Sequence, residues 1–297
     1  MVGDGESTTS LSRPLNHPFT GMTKTSNDDD LSITTLVQDV VDVLERILPP
    51  VDPSADPNDT PQAIIAGHSL GGAVAVRVAA TEKVASLVGV MVIDVVEGTA
   101  VASLTHMHRI LASRPKSFTS TEEAVNWALH TGTVRNAAAA AVSVPSQLVP
   151  RDDGHFTWRT DLKKSSPYWR DWFTGLSEQF LGLKAAKILV LAGSDRLDTA
   201  LMRGQMMGKF ELRLLYGSGH AIQEDCPDQM AKAIAEFCSR CARTVDCDRF
   251  GLQGPAVGDA TSTSASLLAE RLAKARSMVP PAGAMPAPAV MPKRPST

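Results

Sequence analysis

Pro61-Gln62-Ala63-Ile64-Ile65-Ala66-Gly67-His68-Ser69-Leu70-Gly71-Gly72-Ala73-Val74-Ala75-Val76-Arg77-Val78-Ala79-Ala80 decides the fold of this chain. A short apolar run leads into Gly-His-Ser-Leu-Gly-Gly, and a run of small and apolar residues with helical length leaves it. Strand, Gly-x-Ser-x-Gly, helix is the context of a nucleophile elbow, in which a strained turn lifts a serine hydroxyl clear of the sheet. A side chain at Gly67 or at Gly71 is expected to collide with neighbouring backbone and pull the serine oxygen away. The helix that follows would point its positive end at the serine, where negative charge develops. The plainer reading is a glycine-rich turn with an incidental serine, and the flanks favour the elbow.

Composition removes other classes. The 297 residues carry 29 Lys and Arg against 32 Asp and Glu, a net charge of −3, which gives no reason to expect nucleic acid or an anionic membrane. No apolar run approaches a membrane span, and Met1 to Ser32 is polar with no signal-peptide core. Four cysteines fit a reducing compartment, cytoplasmic or nuclear. Cys238, Cys241 and Cys247 lack a fourth ligand at matching spacing, so they read as ordinary thiols near a helix end and not as a metal site.

Residues 1–31 read as a flexible lead. Ser32 caps a helix bearing Leu36, Val40, Val43, Leu44 and Ile47, which stops at Pro49-Pro50; a proline-rich link, Val51 to Thr60, follows. Leu87 to Asp94 is near-continuously apolar, as in a parallel strand covered on both faces. Residues 97–183 are helical by pattern, broken at Pro115, Pro145 and Pro167, and read as a cap inserted between core strands. Trp127, Trp158, Tyr168, Trp169, Trp172 and Phe173 gather there, chiefly for packing, with a partner- or substrate-facing surface as the lesser reading for some of them. Strands return at Lys187–Ala192 and about Phe210–Tyr216, and a closing helix runs from Pro227 to about Cys238. The alternation implies an α/β fold with a doubly wound, mostly parallel sheet over residues 32–249, and the elbow makes it read as a partial α/β-hydrolase. Residues 250–297 turn to Ala, Pro, Ser, Thr and Gly and read as a disordered tail.

A serine hydroxyl is a weak nucleophile until a base takes its proton and a third group holds the base. In α/β-hydrolases the chain order is serine, acid, histidine, with the histidine after the last core strand. His220, in Gly217-Ser218-Gly219-His220, fits the base. His68 belongs to the elbow and is expected to pack or hydrogen-bond locally; His106, His108, His130 and His155 fall in the cap and His17 in the lead. For the acid, Asp195 and Asp94 both end strands at the carboxyl edge, and spacing alone favours Asp195. Leu70 N–H is the recognisable oxyanion donor.

Residues from about 32 to 246 resemble the protein phosphatase methylesterase family. The resemblance rests on the elbow, Ile93-Asp94-Val95-Val96-Glu97-Gly98-Thr99-Ala100, and Leu191-Ala192-Gly193-Ser194-Asp195-Arg196-Leu197-Asp198. His155-Phe156-Thr157-Trp158-Arg159, Gly204-Gln205-Met206-Met207-Gly208-Lys209-Phe210 and Gly219-His220-Ala221 add to it. It implies Asp94 as the acid, with Asp195 orienting nearby loops and Arg196 as its local partner. It also implies a serine esterase, needing no cofactor or metal, that removes the methyl ester from the C-terminal leucine of the protein phosphatase 2A catalytic subunit. The cap would carry much of the contact with that partner. A non-catalytic phosphatase-binding module and a generic small-ester hydrolase are the alternatives.

The chain departs from the pattern in front of the elbow, where a complete fold has several strands. The expectation is a truncated domain, with Gly3-Asp4-Gly5-Glu6-Ser7 as a remnant of the preceding loop, an exposed edge on the elbow strand, and no loop to give a second oxyanion N–H. Losing one such donor costs roughly 10²–10³ in rate. The acidic insertion common in the family's cap is reduced to Arg151-Asp152-Asp153-Gly154.

Overall fold

Two adjacent strands, β2 (Leu87–Ile93) and β5 (Ala186–Leu191), set the layering of the molecule. In β2, Val90 and Val92 face one apolar cluster while Met91 and Ile93 face another; in β5, Leu189 and Leu191 oppose Ile188 and Val190 in the same way. Strands buried on both faces need helices on both faces, and the near-continuous apolar runs read from the sequence have this cause. The sheet is parallel, in the order β1-β2-β5-β6, with β1 spanning Ala63–His68 and β6 Glu211–Leu214. The computed structural model describes residues 25, 27–49 and 62–250, with side chains to 242.

One face is covered by α1 (Ile33–Ile47) and α2 (Leu70–Ala80), the other by α10 (Pro227–Phe250). Ser32 caps α1 as expected, its hydroxyl accepting the Thr35 N–H at 3.3 Å, but Val41 rather than Val43 is buried and Ile47 is exposed. The α10 helix runs well past Cys238 because nothing in the following polar residues breaks a helix. Cys241 lies buried on it, and burial pushes its thiol up to about 11, which makes it inert. Among the described residues no group of three His, Cys, Asp or Glu side chains could hold a metal ion, and no helix is long and apolar enough to cross a membrane.

The inserted segment differs from its expected form in four ways. Residues 169–183, read as cap, join the main core: α6 (Trp169–Phe173) and α7 (Leu176–Gly182) pack Trp169, Trp172, Phe173 and Phe180 against it. The part with a core of its own is smaller. There α4 (Thr121–His130) and α5 (Ala137–Ser146) enclose Phe118, Ala124, Ala128, Val134, Ala140, Val144 and Leu148. Beside them lies an unexpected hairpin of β3 (Leu148–Pro150) and β4 (Phe156–Trp158), closed by the Arg151–Gly154 turn with Gly154 at φ +80°. Branched and aromatic residues flanking a glycine turn carry that signal. Pro145 does not break α5 but sits in its last turn.

Between β2 and this small core, α3 (Glu97–Ser113) buries fully only Leu111. Phe118, Trp127 and Trp158 meet edge to face and tilted, with ring centres 5.3–6.1 Å apart, so these aromatics pack as expected.

The lead also ends earlier than its composition implies. Leu31 is buried at 2% exposure, and its carbonyl accepts the Trp172 indole N–H at 2.8 Å; Asp29 pairs with Lys164 at 3.0 Å. The buried Leu31 ends the polar stretch before residue 32. The 3–7 remnant, the Val51–Thr60 link, the tail beyond 250 and the Cys247 side chain lie outside the described residues.

Candidate active site

The parallel ladder runs one rung past its strands, and that rung holds the site. Ser69 N–H donates to Ile93 O at 2.9 Å and Asp94 N–H to Val190 O at 2.8 Å. Both residues then turn into positive φ, 52° at Ser69 and 51° at Asp94, a conformation that side chains rarely adopt and that tight packing must enforce. At the elbow the enforcing contact is glycine against backbone. A Cβ on Gly67 would lie 2.0 Å from Gly71 O, and one on Gly72 would lie 2.8 Å from Val95 Cγ1. Gly71 itself differs from expectation, since a Cβ there meets nothing within 4 Å; its backbone is what Gly67 must approach.

Ser69 stands at the head of α2 and its hydroxyl caps nothing. Its carbonyl accepts the N–H groups of Gly72 and Ala73, at 2.9 and 3.2 Å. Leu70 and Gly71 N–H stay outside that ladder, as the first amides of a helix do, and make the N-terminus beside Ser69 an acceptor for negative charge.

Asp94 is the best-partnered side chain of the site and is fully buried. Its Oδ2 accepts His220 Nδ1–H at 2.8 Å and pairs with Arg196 Nη1 at 2.5 Å, while Oδ1 accepts Ala192 N–H at 3.3 Å. Burial acts to raise its pKa, but the His220 hydrogen bond, the Arg196 charge and the Ala192 amide outweigh it and hold the carboxyl below the ordinary value. Asp94 is therefore ionised, and the shared proton sits on His220 Nδ1, which turns Nε2 away from Asp94 as an acceptor.

Asp195, the alternative acid, is exposed and makes no hydrogen bond or ion pair among the described residues. The structure joins Asp94, not Asp195, to His220. Arg196 is likewise not the partner of Asp195; it reaches back to Asp94.

His68 also departs from the local role read for it. Its Nε2 lies 2.7 Å from the carbonyl of His220, and the two rings sit 4.6 Å apart. A carbonyl only accepts, so His68 Nε2 carries the proton. Burial, reinforced by the His220 ring, pushes its pKa down to about 4 and keeps it neutral. This contact brings His220 to the elbow, one residue from Ser69. Ser69 Oγ and His220 make no hydrogen bond to each other here; such bonds commonly close only when substrate is bound.

Two of the motif runs, Ile93–Ala100 and Leu191–Asp198, are stitched to each other. Besides Asp94–Arg196, Asp198, which caps α8 (Thr199–Met206), accepts Ser177 Oγ–H at 2.6 Å and Gly98 N–H at 3.4 Å on Oδ2. Glu97 accepts Gly175 and Ser177 N–H, at 2.8 and 3.1 Å, at the head of α7. His68, Arg196, Glu97 and Asp198 were all visible in the motifs, but the partners named here lie 21 to 152 residues away and spacing does not reveal them.

A family model described as "Alpha/beta hydrolase family" matches residues 8–233. The chain belongs to the alpha/beta hydrolase family. The match begins inside the stretch read as lead. The chain is 43% identical over 226 residues to protein phosphatase methylesterase 1 of Yarrowia lipolytica, covering 75% of this chain and 52% of the relative. It is 43% identical over 221 residues to a probable protein phosphatase methylesterase 1 of Caenorhabditis elegans, covering 74% and 58%. Against that of Bos taurus it is 37% identical over 263 residues, covering 74% and 67%. The resemblance read from the motifs is thus shown.

The chain spans little more than half the length of the first two relatives. Among solved structures, an esterase of M. tuberculosis superposes with a TM-score of 0.55 at 18% identity, covering 75% of each chain. At that identity the likeness speaks for the fold alone. In this alpha/beta hydrolase the elbow strand β1 is an edge of the four-stranded sheet among the described residues, with Ala66 exposed.

Proposed function

We propose that this alpha/beta hydrolase is a serine carboxylesterase acting on a protein methyl ester, that on the C-terminal leucine of the protein phosphatase 2A catalytic subunit. The observation that carries the reading is the 2.8 Å hydrogen bond from His220 to a buried, ionised Asp94 beside a serine in strained positive φ. Relatives that carry the name protein phosphatase methylesterase support the substrate class.

Ser69 Oγ attacks the ester carbonyl while His220 Nε2 takes its proton, and Asp94 Oδ2 stabilises the imidazolium through Nδ1–H. The oxyanion forms at Leu70 N–H, at the head of α2. Collapse breaks the bond to the methoxy oxygen, which leaves as methanol with the proton from His220. Water, deprotonated by the same nitrogen, then attacks the acyl-enzyme; Ser69 recovers its proton and the peptide leaves as a free carboxylate. The partner is the phosphatase catalytic subunit, reached through the cap.

Ser69→Ala tests the reading. It should abolish demethylation and fluorophosphonate labelling, a loss of about 10⁶ in kcat by analogy with serine hydrolases in general, and spare capture of the phosphatase. A second reading, a phosphatase-binding module without turnover, draws on the open Ser69–His220 contact. It prevails if the unmutated chain captures the phosphatase, labels at no measurable rate and demethylates nothing. Activity on short acyl esters with none on the methylated phosphatase would instead indicate a general esterase.

A further inference from the structure

His220 has to be aimed accurately, yet it sits on a loop and its side chain is 56% exposed. Three backbone groups of that loop are held by three side chains from three parts of the molecule. Arg135, in the turn between α4 and α5, donates from Nη1 to Gly217 O at 3.1 Å. Asp225, the last residue of α9 (Ile222–Asp225), accepts Gly219 N–H on Oδ2 at 2.6 Å. His68 donates to His220 O.

The first two holders are joined, because Asp225 Oδ1 accepts the Arg135 backbone N–H at 2.6 Å. The loop is closed down onto both: a Cβ at Gly219 would come within 3.2 Å of Arg135 Nε and of Asp225 Oδ2. Gly217, at φ +90°, is the flexible point that Arg135 pins.

Base chemistry needs Asp94 and Ser69; nothing in it calls for the small core of α4 and α5. We propose that Arg135 and Asp225 are positioning residues for His220, which fasten the loop of the base to that inserted core. The inference rests on the ester-hydrolysis reading. A carboxylate that spends one oxygen on each amide fixes the spacing between the two segments. Without it Gly217 swings and the imidazole leaves Asp94 for part of the time. Small misplacements of a reacting group lower turnover without weakening substrate binding.

The test uses the full chain with Asp225→Ala, Arg135→Gln and Arg135→Lys, assayed on a short-chain p-nitrophenyl ester and by amide exchange of residues 217–220. Asp225→Ala and Arg135→Gln should lower kcat about tenfold with KM within twofold, and Arg135→Lys should recover most of it. Exchange at Gly219 should rise at least tenfold in Asp225→Ala. Should that variant not fold, Asp225→Asn keeps its shape and one acceptor oxygen and should show a smaller change of the same sign. Ser143→Ala removes a hydrogen bond of α5 to α9, Ser143 Oγ to Glu224 Oε2 at 2.5 Å, without touching the loop. It should leave both readouts alone. Unchanged exchange at 217–220 in the Asp225 variants, or a Ser143→Ala loss equal to that of Arg135→Gln, overturns the proposal. Exchange reads the loop whether or not ester is turned over. A chain that hydrolyses nothing would therefore defeat the proposed function while still deciding this point.

Discussion

Ser69 and Asp94 are built into the sheet, while His220 hangs beside it. Each of the first two takes the rung after a strand whose last residues are almost fully buried or wedged against α2, and each sits in positive φ. His220 comes after β6 on a loop fixed by hydrogen bonds from Arg135, Asp225 and His68. Strained backbone persists only where the packing around it over-determines it; a loop held by discrete polar contacts can be released one contact at a time. A change to the packing of the strand half should therefore cost the fold, and a change to the contacts of the loop half should cost turnover with the fold kept.

The largest effect should come from Gly67→Ala. Its Cβ would sit 2.0 Å from Gly71 O, so α2 must leave β1. Overpacking usually costs about 1–3 kcal/mol, and an overlap with backbone that no side chain can relieve costs more, a large share of the roughly 5–15 kcal/mol that hold a domain. Gly71→Ala, four residues on, meets nothing and trades glycine for a helix former worth about 1 kcal/mol. Urea unfolding should show the first variant largely unfolded and the second at least as stable as the parent. Equal losses would mean that the elbow is not the tight half.

Next comes the acid, where the two halves meet. Asp94→Asn keeps the shape but can no longer hold the proton on His220 Nδ1, and kcat should fall about 10⁴-fold with an unchanged far-UV spectrum. Asp195→Asn should change nothing. Arg196→Met strips the charge from the same buried carboxylate. Breaking a fully buried pair costs 3–5 kcal/mol, and with Arg196 35% exposed the loss should be about 1–3 kcal/mol. An Asp195 variant as impaired as Asp94→Asn would reassign the acid.

What the chain revealed before its structure follows the same division. Strand-borne features obey short-range rules. Gly-x-Ser-x-Gly between an apolar run and a helix marks Ser69, and unbroken apolar β2 and β5 announce a sheet covered on both faces. Between Asp94 and Asp195, spacing favours Asp195 and only the family motif favours Asp94, since both follow neighbouring parallel strands at one edge and the rotation of a turn decides which carboxylate meets the loop. Arg196 was attached to its neighbour in sequence because nothing local shows a guanidinium folding back onto β2. The Arg135–Asp225 link was missed for the same reason. The boundary of the cap failed differently: Trp169 to Phe180 has the pattern of any amphipathic helix, and whether such a face meets a small core or the large one is a property of the tertiary fold.

His68 offers the smallest and most discriminating test, because it belongs to the strand half and holds the loop half. In the folded chain it accepts a proton only near pH 4, whereas in the unfolded chain it does so near its ordinary 6.5. Between those values the unfolded state binds the extra proton, so stability should fall as pH drops from 6.5 to 4. The contribution of Asp94 has the opposite origin. Its folded pKa lies below 3.8, so the stability it adds is present above that value and is lost only as pH falls further. The two windows do not overlap. His68→Gln should separate them, since a glutamine amide can donate to His220 O as the imidazole does but does not titrate. Its melting temperature should be flatter than the parent's by a few degrees between pH 6.5 and 4 and run parallel to it below 3.8, with esterase activity at pH 7 within a few-fold of the parent. Parallel curves through the upper window would mean that the ring is not buried against the loop, and the elbow would then have no grip on its base.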